Sequence, residues 1–215
     1  MCGRMKGADA TWAEFHDMLS GFASFPPERA ERYAGREIFP TNQYPIIVKA
    51  GDNAEVIEAR WWLVPFFHKA PVKDWKATTF NAKIEEAADK ASFRGPWKSK
   101  HCLVHVSRFW EWKLNNPEAQ KSKQTKSRFN IGRSDNHSLV FAGLWDRATT
   151  ADGEVTSFTV LTRKPGPEMA ELHTREPVIL DPEQWQPWLD CAPMPELVEP
   201  SRAGLVRYAP ETAFG

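Results

Sequence analysis

The chain reads as a single α+β domain with a largely antiparallel sheet. Three observations carry that reading. Short runs that alternate apolar and polar residues, rich in β-branched and aromatic side chains, recur along most of the 215 residues. Helical patterns are few and lie between these runs without the regular alternation that a parallel sheet requires. No internal repeat and no composition shift divides the chain, so one domain is expected over 1–215, with a core to about 190 and a tail over 191–215.

Thr11-Trp12-Ala13-Glu14 has the form of a capping box, and Trp12, Phe15, Leu19 and Phe22 follow at helical spacing, which predicts a helix over 12–23. Residues 24–42 read as loop. Strands are predicted over 44–49 and 55–63, joined by the turn Gly51-Asp52-Asn53. An aromatic loop over 65–77 leads into an extended segment at 79–83 and a helix over 84–92. Strands follow over 102–106, 109–113, 128–131, 139–144 and 157–162. A turn at 163–167 and a short helix near 168–172 precede a buried strand over 178–180. Asp181-Pro182, an N-cap followed by Pro at the first helical position, opens a helix to Trp188.

Hydrophobic residues make up 41% and charged residues 26%, as in ordinary globular proteins. No apolar run reaches the roughly 18 residues of a membrane span, and the start of the chain has no secretory h-region. Cys2, Cys102 and Cys191 are too few and too far apart for a disulfide framework, which points to a reducing, cytoplasmic setting. The net charge of zero argues against a general nucleic-acid coat protein. The charge is unevenly placed, however. Arg94–Arg133 holds ten Lys or Arg against two acids, and 165–215 holds nine acids against three bases. A local basic surface of this kind suits a phosphate backbone; a solvated loop is the plainer reading for 121–126.

Cys2 is small enough for Met1 to be removed, which would leave a free α-amine and a thiol on one residue. Such a 1,2-aminothiol condenses with an aldehyde to an imine and closes to a thiazolidine. The α-amine has a reference pKa of about 7.7–8, near neutrality. A frayed, incidental terminus is the alternative. Glu111 sits among Phe109, Trp110 and Trp112, where desolvation would raise its pKa and suit it to proton transfer; strand alternation also allows it to face solvent. His173, two residues before Arg175, is placed for the lip of a pocket or for a plain packing role. Asn81 reads equally as an N-cap or a site residue. His101, Cys102 and His105 do not form a metal set, because Cys102 points away from the two histidines and no second pair stands nearby. No metal or cofactor is expected, and P-loop, dinucleotide and serine-elbow motifs are absent from the sequence.

Met1-Cys2-Gly3-Arg4, Asn81-Ala82-Lys83, Phe109-Trp110-Glu111-Trp112-Lys113 and the stretch from His173 to Leu180 stand in an order and spacing that resemble the SOS response-associated peptidase family. Phe39-Pro40-Thr41 and Trp62-Leu63-Val64-Pro65 add to the resemblance, which covers roughly 1–190. It implies a compact domain with a twisted, partly barrel-like sheet, flanking short helices and a basic groove. It also implies covalent capture of abasic sites in single-stranded DNA by the mature Cys2, by a monomer that needs no membrane. By motif position Cys2 supplies amine and thiol, Glu111 relays protons, His173 promotes opening of the sugar, and Asn81 orients the reactants. Arg4, Pro40, Phe66, Phe67, Lys83, Thr162 and Arg175 would contact DNA. The family name further implies autocatalytic loss of Met1. Two departures stand out: Lys83 where the family usually has Arg, and Glu176, which is expected to add negative charge near the groove. Two other readings remain: a thiol peptidase or amidohydrolase built on Cys2, His173 and Glu111, and a non-catalytic single-strand binder.

Overall fold

Five strands close into a ring. A computed structural model describes residues 3–8, 19, 22, 31–118 and 120–211. The strands are β1 (Met5–Gly7), β2 (Glu37–Ile38), β3 (Gln43–Ala50), β4 (Asn53–Trp61), β5 (Asn81–Lys83), β6 (His101–Leu114), β7 (Lys126–Arg133), β8 (Leu139–Thr150), β9 (Gly153–Arg163), β10 (Glu176–Pro177) and β11 (Val206–Pro210). The described helices are short: α1 (Ile84–Ala87), α2 (Arg94–Ser99), α3 (Pro167–Ala170) and α4 (Pro182–Leu189). β6 pairs with β3, β3 with β4, β4 with β9, β9 with β8, and β8 returns to β6. Only the β4–β9 contact in this ring is parallel. Closure leaves each of these strands without a free edge.

Period-2 alternation sorts the ring strands between two cores. Ile46, Val48, Ala59, Trp61, Cys102, Val104, Phe141, Phe158 and Val160 meet inside the ring. Ile47, Leu103, Ala142, Leu144 and Leu161 face outward and are covered by Ile84 of α1 and by Trp185, Trp188 and Leu189 of α4. Gly143 allows β6, β8 and β9 to approach: a Cβ there would meet Cys102 Sγ at 2.8 Å and the Thr159 carbonyl at 2.9 Å. A larger residue would force the ring open at that level.

The α+β class and the antiparallel, barrel-like sheet stand as expected. Several boundaries differ. The runs 102–106 and 109–113 are one continuous strand, because β6 changes partners midway, from β8 to β7, without breaking. The helix expected over 84–92 ends at Ala87, and α2, which no strong sequence signal marks, follows at Arg94. Beyond residue 190, Leu197, Leu205 and Val206 are buried and β11 pairs along β7, so this part of the chain belongs to the sheet. Residues 178–180 are buried and extended, with Val178 N–H donating to Leu161 O and Leu180 N–H to Val140 O. At the start of α4, Gln184 accepts a hydrogen bond from the Asp181 backbone at 2.9 Å, the return half of a capping box. Most of the expected helix at 12–23 lies outside the described residues; Leu19 and Phe22 from it are buried in the outer core. Among the described residues no helix is long and apolar enough to cross a membrane.

Candidate functional site

Strand direction collects most of the nominated residues at one end of the ring. The N-terminal ends of β3 and β8 and the C-terminal ends of β4, β6 and β9 share this rim, as their antiparallel registers require. Cys2 lies outside the described residues. Of the described residues nearest it, Met5 pairs with Phe109 and the Arg4 carbonyl accepts a hydrogen bond from Trp110 N–H at 3.1 Å. β1 therefore runs toward Glu111 as it nears the chain start. Cys2 is two residues from Arg4 in sequence, which limits the separation of their Cα atoms to about 7.2 Å.

Glu111 is 3% exposed. The solvent-facing alternative is therefore corrected: β6 is covered on both faces here, so Trp110 and Glu111 are both buried. Burial holds the Glu111 carboxyl above the usual carboxylate range, while the α-amino charge of the chain acts in the opposite direction. His173, half-buried after α3, is shifted below the ordinary imidazole value, first by burial and then by the same α-amino charge. His173 Nδ1 accepts a hydrogen bond from the Arg175 backbone N–H at 3.1 Å. With Nδ1 holding a lone pair, the neutral ring carries its proton on Nε2 and can donate there.

Contacts run around the rim from this point. Arg4 lies over the Phe39 ring at 4.5 Å and the Trp112 ring at 5.3 Å, and pairs with Glu37 at 3.1 Å. Phe39 leads to Pro40 and then Thr41, which adopts φ 83°, a left-handed conformation unusual for a β-branched residue. Thr41 N–H donates to Trp61 O, and Trp61 Nε1–H donates to Phe80 O. Asn81 follows on β5, 6% exposed and opposite Val160. Lys83 stands opposite Thr162, on the edge of β9 away from Pro177.

Arg175 closes the circuit, donating to Thr162 O at 2.5 Å. Its guanidinium is forked onto Glu85, with Nη1–Oε1 2.8 Å and Nη2–Oε2 2.7 Å. That pair, first among several causes, lowers the pKa of Glu85. A carboxylate thus occupies the fork that would suit a phosphate. Lys83 is exposed and pairs with Glu86 at 3.0 Å.

Two expectations meet a different geometry. Glu176 does not add charge to the groove. It is 1% exposed and takes four donors: Arg163 Nε–H at 2.8 Å, Gly166 N–H at 2.8 Å, and the N–H and Oγ–H of Ser201, each at 2.9 Å. Phe66 and Phe67 are exposed and in edge contact with each other at 5.6 Å, but they stand apart from the rim. Phe66 N–H is held by Asp146 at 2.8 Å, toward the opposite half of β8; the link back runs through Trp75, which donates to Thr79 Oγ1. The sequence reading missed Glu37, Glu85 and Arg128. None had a local signal, since Glu85 and Arg175 are 90 residues apart.

The whole-chain comparison fits this geometry. The family model described as SOS response associated peptidase (SRAP) matches residues 1–211. The Bacillus subtilis protein YoqW, named an abasic site processing protein, is 32% identical over 193 residues, covering 88% of this chain and 80% of YoqW. HMCES of Xenopus tropicalis, with the same descriptive name, is 28% identical over 179 residues, 73% of this chain and 53% of that protein. A crystal structure of a protein from Bacteroides thetaiotaomicron superposes with a TM-score of 0.81 at 22% identity, over 99% of this chain and 93% of that one. At that identity the superposition speaks for the fold alone. The chain belongs to the SOS response associated peptidase family.

Proposed function

We propose that this protein processes abasic sites in DNA by forming a covalent cross-link from the mature Cys2 to the ring-opened sugar in a single strand. The observation that carries the reading is Glu111, buried on the strand along which β1 pairs as it nears the chain start, with a carboxyl that burial holds above the usual range and so suits to accept and return a proton. The names of the relatives support the substrate class.

Hydrolysis of the Met1–Cys2 peptide bond, consuming one water, frees the α-amine. His173 Nε2–H donates to the ring oxygen of the closed sugar and favours the open aldehyde. The α-ammonium gives its proton to Glu111, and the amine nitrogen adds to the aldehyde carbon. Glu111 returns the proton to the departing hydroxyl, so one water leaves and an imine remains. Sγ of Cys2 then bonds to the imine carbon while the nitrogen takes the thiol proton, closing the thiazolidine. The net change is aminothiol plus aldehyde to thiazolidine plus water. Asn81 holds the opened sugar; Arg4, Lys83, Thr162 and Arg175 line the rim beside the strand; Pro40 offers apolar contact to bases there, and Phe66 and Phe67, which stand apart from the rim, meet bases only farther along the strand.

A single-stranded oligonucleotide with one abasic site tests this. Wild-type protein is expected to give a species that survives denaturation, whose mass equals protein lacking Met1 plus DNA minus one water. A Cys2→Ala variant should give none. An equal yield from Cys2→Ala, or full activity with Met1 retained, would overturn the reading. A peptidase acting on separate peptides would need no free α-amine, and an N-terminally acetylated Cys2 would then keep its activity.

A further inference from the structure

The outer face of β1, β6, β7 and β11 carries, beyond Arg4, groups that this reaction does not use. Register and alternation place Arg4, Lys6, Arg108, Lys126, Arg128 and Arg207 on that face, opposite in direction to Phe109, Glu111 and Ile131. The face is strongly cationic on a chain with no net charge. Its carboxylates Glu37 and Glu211 are engaged by Arg4 and Arg128, at 3.1 Å for Arg4–Glu37, 2.6 Å for Arg128–Glu37 and 2.8 Å for Arg128–Glu211. Arg108 and Arg207 have no carboxylate partner among the described residues; Arg207 bonds the Asn136 side chain.

These two arginines wall a cavity of about 420 Å³ together with Asn130 and residues 208–211. Gly132 lets Arg108 lie against β7, since a Cβ there would meet its Nη1 at 3.1 Å. A second observation points to a ligand. Trp110 and Asn130 are register partners, Trp110 is 3% exposed, and both Trp110 Nε1 and Asn130 Oδ1 are enclosed without a hydrogen-bond partner among the described groups. One is a donor and the other an acceptor, and enclosed polar groups are normally matched.

We propose that this face is a track for single-stranded DNA beyond the reactive rim, with a nucleotide subsite at the cavity: Arg108 and Arg207 clamp a phosphate, and Asn130 meets a base edge. The cations begin at Arg4 on the rim and continue without a gap to β11, which suits a polyanion and gives the strand a direction. The inference rests on the cross-linking reading for where the strand starts; binding on the face requires no chemistry at Cys2.

The test is anisotropy of labelled, lesion-free oligonucleotides, one long and one short enough to reach only the rim, titrated across salt. Arg108→Gln with Arg207→Gln should weaken the long strand about 10-fold and make its salt slope shallower by about 0.7, the value of one phosphate on a single strand, while leaving the short strand unchanged. Asn130→Ala should weaken the long strand with the salt slope intact. Lys49→Gln with Lys98→Gln, a charge-matched pair at the far end of β6, should change neither. Cross-linking of a short abasic oligonucleotide by the arginine double variant reports that its rim is folded. An unchanged long-strand affinity and slope in that variant, or an equal loss in the Lys49/Lys98 control, overturns the track, as does wild-type protein that binds neither strand. Loss of long-strand binding in protein that never cross-links would keep the track and remove the reaction.

Discussion

Glu111 and Glu176 are buried to nearly the same depth, yet their surroundings differ in kind. Glu176 takes four donors from Arg163, Gly166 and Ser201, one of them a guanidinium, and joins β10, β9 and the segment after α4. Glu111 lies between Trp110 and Trp112 on a buried stretch of β6, and burial is the largest influence on its carboxyl. A fully donated carboxylate fixes structure. A carboxylate whose proton affinity is raised by burial is suited to carry a proton.

That contrast is open to test. The largest effect is expected at Glu176→Ala, which leaves the Arg163 guanidinium buried without its partner and should cost about 3–5 kcal/mol of unfolding free energy. Chemical denaturation measures it, and a loss under about 1 kcal/mol would show that the four-donor cage is not structural. Next is His173→Ala, expected to slow cross-linking of a natural abasic site by roughly 10²-fold while barely affecting an aldehyde that cannot close to a ring. Equal slowing of both substrates would place His173 after ring opening.

A smaller effect concerns pH. Because the folded-state pKa of Glu111 is raised above its unfolded value near 4.3, the fold binds the extra proton. The stability it confers is complete below that unfolded value and is lost as pH rises through the folded one. Glu111→Gln, which cannot ionise, should therefore match wild type in acid and exceed it at neutral pH. A stability gap that is constant with pH would contradict the assignment. Smallest is the Arg175–Glu85 fork, whose removal by Glu85→Gln should cost no more than about 1 kcal/mol. Freed of its carboxylate, Arg175 should bind DNA at least as well as before; weaker binding would mean that Glu85 positions the guanidinium for the strand.

Much of this architecture was legible in local sequence. The strands β3, β4, β8 and β9 announce themselves by alternation and β-branched residues, and Asp181-Pro182 announces α4. Features that depend on long-range pairing were not. Whether Glu111 faces water or core turns on what covers the far side of β6, and alternation along one strand cannot supply that. The partners of Arg4 and Arg175 are glutamates distant in sequence. β11 reads as a tail because its five residues acquire strand character only by pairing with β7. The family resemblance places Phe66 and Phe67 against DNA at the lesion, and it is the Asp146 bond that draws them away from the rim. Glu176 looks like a groove charge until Ser201, 25 residues on, folds back over it.

The rate of cross-link formation by Glu111→Gln, set beside wild type on the same abasic single strand, tests the central claim most directly. With Met1 removed in both proteins, as intact mass verifies, the variant is expected to react roughly 10²–10⁴-fold more slowly and yet to form the same adduct at Cys2. A variant as fast as wild type would contradict the assignment of Glu111 as the proton carrier at the chain start.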